Sequence, residues 1–168
     1  MIQLDERVMS LIRECTTRQE VREDGVFVGD TESGFLVVRA AEGFEIRPWH
    51  RGRFGAAELT GATQDVVEAY LAWEFGGTWR LLRGWSLLDL GPDDTLPPGI
   101  AVTREPDGRD GVLIEGTPPV HARGITRGLG AKLAHVIPVP LGDLVASMRH
   151  PDGLPAFPQR GPRPAGRS

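Results

Sequence analysis

Cysteine is almost missing from this chain of 168 residues, Cys15 being the only one. No intramolecular disulfide can form, and thiolates cannot assemble a zinc cluster. Lysine is as scarce: Lys132 stands alone, and every other basic side chain is arginine. With abundant Gly and Pro, that bias is what a GC-rich genome encodes. No apolar run approaches the roughly 20 residues needed to span a bilayer. The opening MIQLDERVMS is acidic and polar, without the apolar core of a secretory signal. A reducing cytoplasm is the expected compartment, with no membrane attachment. Positive charge is not in excess either. The net charge of −4 argues against generic binding to nucleic acid or to an anionic membrane.

Catalytic motifs are lacking as well. His50, His121, His135 and His150 form no HxxxH, HxH or HExxH pattern, so neither a metal nor a cofactor is expected. Asp93 and Asp94 sit between Pro and Thr in a loop, where paired acids read as a solvated turn rather than an acid/base pair. GITRGLGAK, residues 124–132, invites comparison with phosphate loops. The Gly-x-x-x-x-Gly-Lys spacing is absent, and Leu133 stands where Ser or Thr would ligate magnesium. There is no GxSxG and no dinucleotide fingerprint. The chain is not expected to be an enzyme.

What is present is a hydrophobic fraction of 40% with 25% charged residues, the composition of one ordinary globular domain. Ile2, Val8, Leu11, Ile12 and Cys15 recur at helical spacing, which predicts a first helix with Cys15 as a packed core thiol. Val26-Phe27-Val28 and Phe35-Leu36-Val37-Val38 flank GDTESG and predict a hairpin. Phe44-Glu45-Ile46-Arg47 alternates as a half-exposed third strand. Ile100-Ala101-Val102 and Val112-Leu113-Ile114 predict a second hairpin around REPDGRDG, followed by a short strand at Val120-His121-Ala122. Residues 125–136 and 141–148 predict two helices. The fold class is α+β: a single compact domain over residues 1–158, with an antiparallel sheet built from hairpins and helices packed against it. Residues 159–168 form a disordered Pro/Arg-rich tail, with Leu154 and Phe157 docking just before it.

Two stretches stand out. The first is TQDVVEAYLAWEFGGTWR, residues 63–80. Thr63 is placed to cap a helix, Val66, Val67, Tyr70, Leu71 and Phe75 make its buried stripe, and Gly76-Gly77 predicts its end. Trp73 falls off the stripe's centre. The second is RPWHRGRFG, residues 47–55, read as a loop after the third strand. It gathers Arg47, Trp49, His50, Arg51, Arg53 and Phe54, with Gly52 and Gly55 permitting tight backbone. Trp and Arg are enriched at binding hot spots, where one anchor contributes about 2 kcal/mol or more. Arginine interleaved with aromatics also suits single-stranded nucleic acid. Equally, Trp49 and Phe54 can fold onto the core and leave the arginines as solvated edge charges.

The order of these pieces resembles the immunity factors that neutralise NAD-glycohydrolase exotoxins of the necrotizing-toxin type. Gly34-Phe35-Leu36-Val37-Val38 carries one part of the match. Val66 through Gly77, an aliphatic pair followed by Tyr-Leu, an aromatic and Phe-Gly, carries the specific part. Residues 111–143 supply a third. Set beside the family, GDTESG closes the first hairpin quickly and residues 47–55 look expanded. The resemblance implies a cytoplasmic antitoxin that binds a cognate secreted toxin as a 1:1 heterodimer and blocks its NAD-binding cleft. Arg47, Trp49, His50, Arg51, Gly52, Arg53 and Phe54 are then the partner-binding residues. The competing reading is a chaperone or adaptor of a secretion system that uses the same residues on a different protein.

Overall fold

A computed structural model describes residues 2–91 and 95–158; Asp93, Asp94 and the tail at 159–168 lie outside them. The first helix, α1 (Glu6–Cys15), starts where Asp5 accepts the Arg7 backbone N–H at 2.8 Å. That bond satisfies one of the donors a helix start leaves unpaired. Val8, Leu11 and Ile12 lie fully buried along its inner face, each worth about 1.5–3 kcal/mol of apolar burial. Cys15 is half-buried and donates to the Phe75 carbonyl at 3.3 Å. Burial pushes its thiol up to about 11, so it is the packed thiol its position on the stripe predicts.

Six strands follow: β1 (Arg18–Val21), β2 (Gly25–Gly29), β3 (Ser33–Ala40), β4 (Gly43–His50), β5 (Arg53–Phe54) and β6 (Leu59–Ala62). Helix α2 (Gln64–Leu82) comes next, then β7 (Ile100–Arg104), β8 (Asp110–Ile114), β9 (Val120–Ile125), α3 (Gly130–Val136) and α4 (Leu141–Met148). The nine strands form one antiparallel sheet in the order β1-β2-β3-β4-β6-β9-β8-β7, with β5 paired to β4 alone. The α+β class, with helices on hairpins, is as expected. The predicted hairpins fall at β2–β3 and β7–β8 with short turns. The sheet bends at a register shift between Phe44 and Ile46 and narrows to a single pair, Thr60 with Arg123, between β6 and β9.

Strand alternation sorts the first sheet half cleanly. Val26, Val28, Val37 and Ile46 face α1 and α2 in the main core, whereas Phe27, Leu36 and Val38 form a separate cluster on the opposite face. Period-two alternation requires this division.

Five expectations need correction. The helix expected over 125–136 begins only at Gly130, because Ile125 still belongs to β9. Residues 47–50 are not loop but the end of β4, and 53–54 pair back on it as β5. Strands β1 and β6 were not foreseen. Thr63 sits at the N-cap of α2 but its side chain makes no cap bond; Gln64 instead bridges the Gln3 carbonyl and Glu68, at 2.9 Å each. Finally, Gly76-Gly77 does not end α2. The helix runs to Leu82 and stops at Gly84, whose φ is +71°. There Gly84 N–H donates to Leu81 and Trp85 N–H to Arg80, the paired bonds of a glycine-terminated helix end. Gly76 serves packing: a Cβ there would lie 2.3 Å from Met148 Cγ. The α2 stripe is otherwise as predicted, with Val66, Val67, Tyr70, Leu71 and Phe75 all buried. Of the two docking residues near the end, Phe157 is buried and Leu154 exposed.

Candidate partner-binding face

The hairpin of β4 and β5 turns through Arg51 and Gly52, with φ of 45° and 87°. Two successive positive φ values make the tight turn whose twist suits a two-residue hairpin. Gly52 adopts this conformation freely. Arg51 does not: it is the only non-glycine residue with positive φ among those described, at a cost on the order of 1 kcal/mol. Arg51 is held by its neighbours in the β2–β3 turn, its backbone N–H donating to the Glu32 carbonyl at 2.9 Å and its guanidinium to the Glu32 carboxylate at 3.1 Å. Both side chains remain well exposed.

Register then decides which way each residue faces. Trp49 pairs with Phe54 and with Gly34, so it shares the outer face with Phe27 and Leu36; His50 pairs with Arg53 on the inner side. The Gly34 position leaves room beside Trp49, where a Cβ would come within 3.0 Å of the Phe27 ring. Trp49 packs edge-on against Phe27 at 6.1 Å and tilted against Phe54 at 4.8 Å. Its indole N–H is buried and meets no acceptor. Trp49 is therefore half a core residue, as one sequence reading allowed, while Phe54 keeps 40% of its surface exposed.

Arginine surrounds this aromatic group. Arg18 and Arg22 each lie 5.3 Å from the Phe27 ring, and Arg22 also 5.8 Å from Phe54. Glu20 pairs with both arginines, and Arg47 pairs with Glu45 at 2.8 Å. The Phe27, Leu36, Val38 and Trp49 cluster contains no helix residue. The outer face of this sheet half is thus a small buried apolar cluster of Phe27, Leu36 and Val38 covered by cations that stack on it, with Phe54 exposed at its edge. The structure brings Trp49, Phe54 and Arg47 together on that face, sets Arg51 and Gly52 at the tip, and turns His50 and Arg53 inward. Sequence reasoning missed Phe27, Arg18 and Arg22. Their signal was available in the β2–β3 alternation, once Phe27 is placed out of phase with Val26 and Val28.

Other chemistry-bearing groups are engaged in structure. The His121 ring has Thr103 Oγ1 at 3.1 Å and Glu105 at 3.2 Å on Nε2, while Arg123 donates to Nδ1 at 3.2 Å. The His150 ring accepts the Asp152 backbone N–H at 3.1 Å. In the glycine-rich stretch at 124–132, Asp110 takes the place a phosphate would need. Its carboxylate accepts the Gly128 and Gly130 N–H groups at 2.7 and 3.1 Å and pairs with Arg104. A Cβ on Gly130 would meet Asp110 Cβ at 2.7 Å. The loop fixes the start of α3 and binds its own aspartate.

Comparison with known proteins adds two findings. The sequence profile described as Immunity protein 61 matches residues 12–156. Among solved structures, Rv3902c from M. tuberculosis is similar with a TM-score of 0.71 at 20% sequence identity, over 92% of this chain and 94% of that one. At that identity the likeness speaks for the fold. No curated protein matches the sequence.

Proposed function

Because the chain belongs to the Immunity protein 61 family, we propose that it is an antitoxin for an NAD-glycohydrolase toxin and covers that toxin's NAD-binding cleft. The family supports neutralisation of a toxin by binding. The NAD-cleaving target rests on the resemblance carried by Gly34 to Val38 and Val66 to Gly77. In this reading the protein acts in the cytoplasm of the producing cell, as a 1:1 complex, and performs no chemistry itself. Among the described residues no helix is long and apolar enough to cross a membrane.

The observation that carries the site assignment is the β4–β5 hairpin. It projects an arginine held in a strained conformation at its tip, beside the exposed Phe54 ring and the arginines that lie over Phe27. Backbone strain that the surrounding fold maintains is a mark of functional positions, and Trp, Phe and Arg are the anchors such interfaces use. Nanomolar neutralisation requires about −12 kcal/mol over an interface of roughly 1,600 Å², more than one hairpin tip provides. The face formed by Trp49, Phe54, Arg18, Arg22 and Arg47, laid over the buried Phe27 ring, is the natural extension.

The test is co-expression with an NAD-glycohydrolase toxin domain as candidate partner, reading cellular NAD. Wild type is expected to preserve NAD. A variant carrying Arg51→Glu and Phe54→Ala, which touches two exposed positions, is expected to fold and fail to protect. Continued NAD loss with the wild-type protein would remove the NAD-glycohydrolase reading. Full protection by the variant would remove the hairpin from the interface.

A further inference from the structure

Behind the hairpin, between the inner face of β2–β4 and the middle of α2, lies a cleft of about 470 Å³. Phe35 and Pro48 form its sheet wall and Tyr70 and Phe75 its helix wall. The Phe35 ring stands edge-on to both Tyr70 and Phe75, 5.9 Å from each, so these walls are firmly packed. Into this mixed polar and aromatic cleft the chain places Asp30, Glu58 and Glu74, and among the described residues no arginine or lysine lines it.

The three acids are not equivalent. Asp30 is occupied in the β2–β3 turn, accepting the Glu32 and Ser33 backbone N–H groups at 2.7 Å each. Glu58 accepts the Tyr70 hydroxyl at 3.0 Å. Among the described residues the Glu74 carboxylate meets no hydrogen-bond donor or cation; burial and the Glu58 charge push it up to about 7. Tyr70 is raised too, by burial and by both glutamates. A second carboxylate brought beside Glu58 without a counterion is an unfavourable arrangement in the isolated chain. Two carboxylates beside aromatic rings are complemented by an organic cation. Arginine fits best, since a planar guanidinium satisfies two carboxylates and stacks on aromatic faces.

The cleft also lies in the right place. Pro48, Trp49 and His50 belong to β4 of the hairpin and line the cleft as well, so the cleft adjoins the hairpin that the toxin is proposed to grip. We propose that the cleft receives an arginine side chain of the bound toxin, its guanidinium paired with Glu58 and Glu74 beside the packed rings of Phe35 and Tyr70. The inference rests on the toxin-binding reading above and adds the partner chemistry to it. Besides Glu74, the titratable side chains that line the cleft are Cys15, Asp30, His50, Glu58 and Tyr70.

Acetyl-arginine amide, titrated into the full chain and followed by amide NMR at about pH 8, probes the cleft directly. Saturable shifts are expected at residues 58, 70, 74 and 75. They are expected to disappear in the Glu58→Gln/Glu74→Gln variant, whose thermal unfolding reports that it is folded. If that pair fails to fold, Glu74→Gln alone makes the comparison. Absence of saturable shifts in wild type, or equal shifts in the folded variant, overturns the site. The toxin domain is then bound to both proteins, and at least an about tenfold weaker complex is expected for the variant. Unchanged toxin affinity overturns the inference and leaves the proposed function standing. No toxin binding by wild type removes both.

Discussion

Arg80 is the side chain whose surroundings constrain it most. It is 1% exposed, and it donates to the carbonyls of Ser86 at 2.7 Å, His150 at 2.6 Å and Pro151 at 2.9 Å. These acceptors lie on the segments that leave α2 and α4, so one guanidinium ties both helix ends together. A guanidinium spreads its donors in a fixed fork, which no other side chain reproduces. Arg80→Met keeps the volume but strands the carbonyls, and is expected to cost about 2–4 kcal/mol in urea denaturation. A loss below about 1 kcal/mol would show that water replaces the fork. Glu74 acts in the opposite direction. Its folded value near 7 lies above the ordinary glutamate value of 4.5, so the folded chain takes up a proton that the unfolded chain does not. That contribution is fully present below about pH 4.5 and is lost as pH rises through about 7. Glu74→Gln is therefore expected to stabilise the free protein at about pH 8, on the order of 1–3 kcal/mol, and to change little near pH 4.5. Parallel stability curves for variant and wild type across that window would contradict this.

At the scale of elements, α2 shows where sequence reasoning succeeds and where it stops. Its apolar stripe was legible because helical period alone fixes which residues face the core. Its end was not. Gly76-Gly77 has the composition of a helix stop, yet Gly76 is needed because α4 crosses there, with Met148 occupying the space a Cβ would take. That crossing is a long-range fact invisible in a local window. Gly76→Ala is expected to destabilise by about 1–3 kcal/mol, despite alanine's better helix propensity. Adding Met148→Ala should recover part of the loss, since the two positions share one contact; strictly additive losses in denaturation would refute that coupling. The same limit explains β1 and β6. Arg18–Val21 and Leu59–Ala62 carry too few apolar residues to announce themselves, and they become strands by pairing with β2 and β4. The candidate site was half legible. Composition singled out Arg47 to Phe54, but only the register shows that Trp49 turns outward to Phe27 while His50 and Arg53 turn toward the cleft.

For the whole molecule, the net charge of −4 conceals a division that bears on how a partner is met. Arg18, Arg22, Arg47 and Arg51 lie on the outer face or tip of the first sheet half and Arg53 on its inner side, whereas the cleft behind the hairpin holds Glu58 and Glu74. A complementary toxin surface therefore presents acids to the rim and a cation to the centre. Rim charges act mainly on encounter, through fields that extend about 8–10 Å at moderate salt. Their free charge differs, however. Arg47 is already paired with Glu45, Arg51 with Glu32, and Arg18 and Arg22 with Glu20. No acid partner reaches Arg53 among the described residues. Reversal at Arg53 thus removes unneutralised charge, whereas reversal at Arg47 also places two acids together and disturbs β4. Association with the toxin is expected to slow as salt rises from about 50 to about 300 mM. Arg53→Glu should flatten that dependence and lower the association rate about tenfold at low salt, with dissociation changed less. Stopped-flow measurement of both rates separates the two contributions. An effect confined to dissociation would place Arg53 inside the buried contact and move the centre of the interface from the outer face to the cleft side of the hairpin.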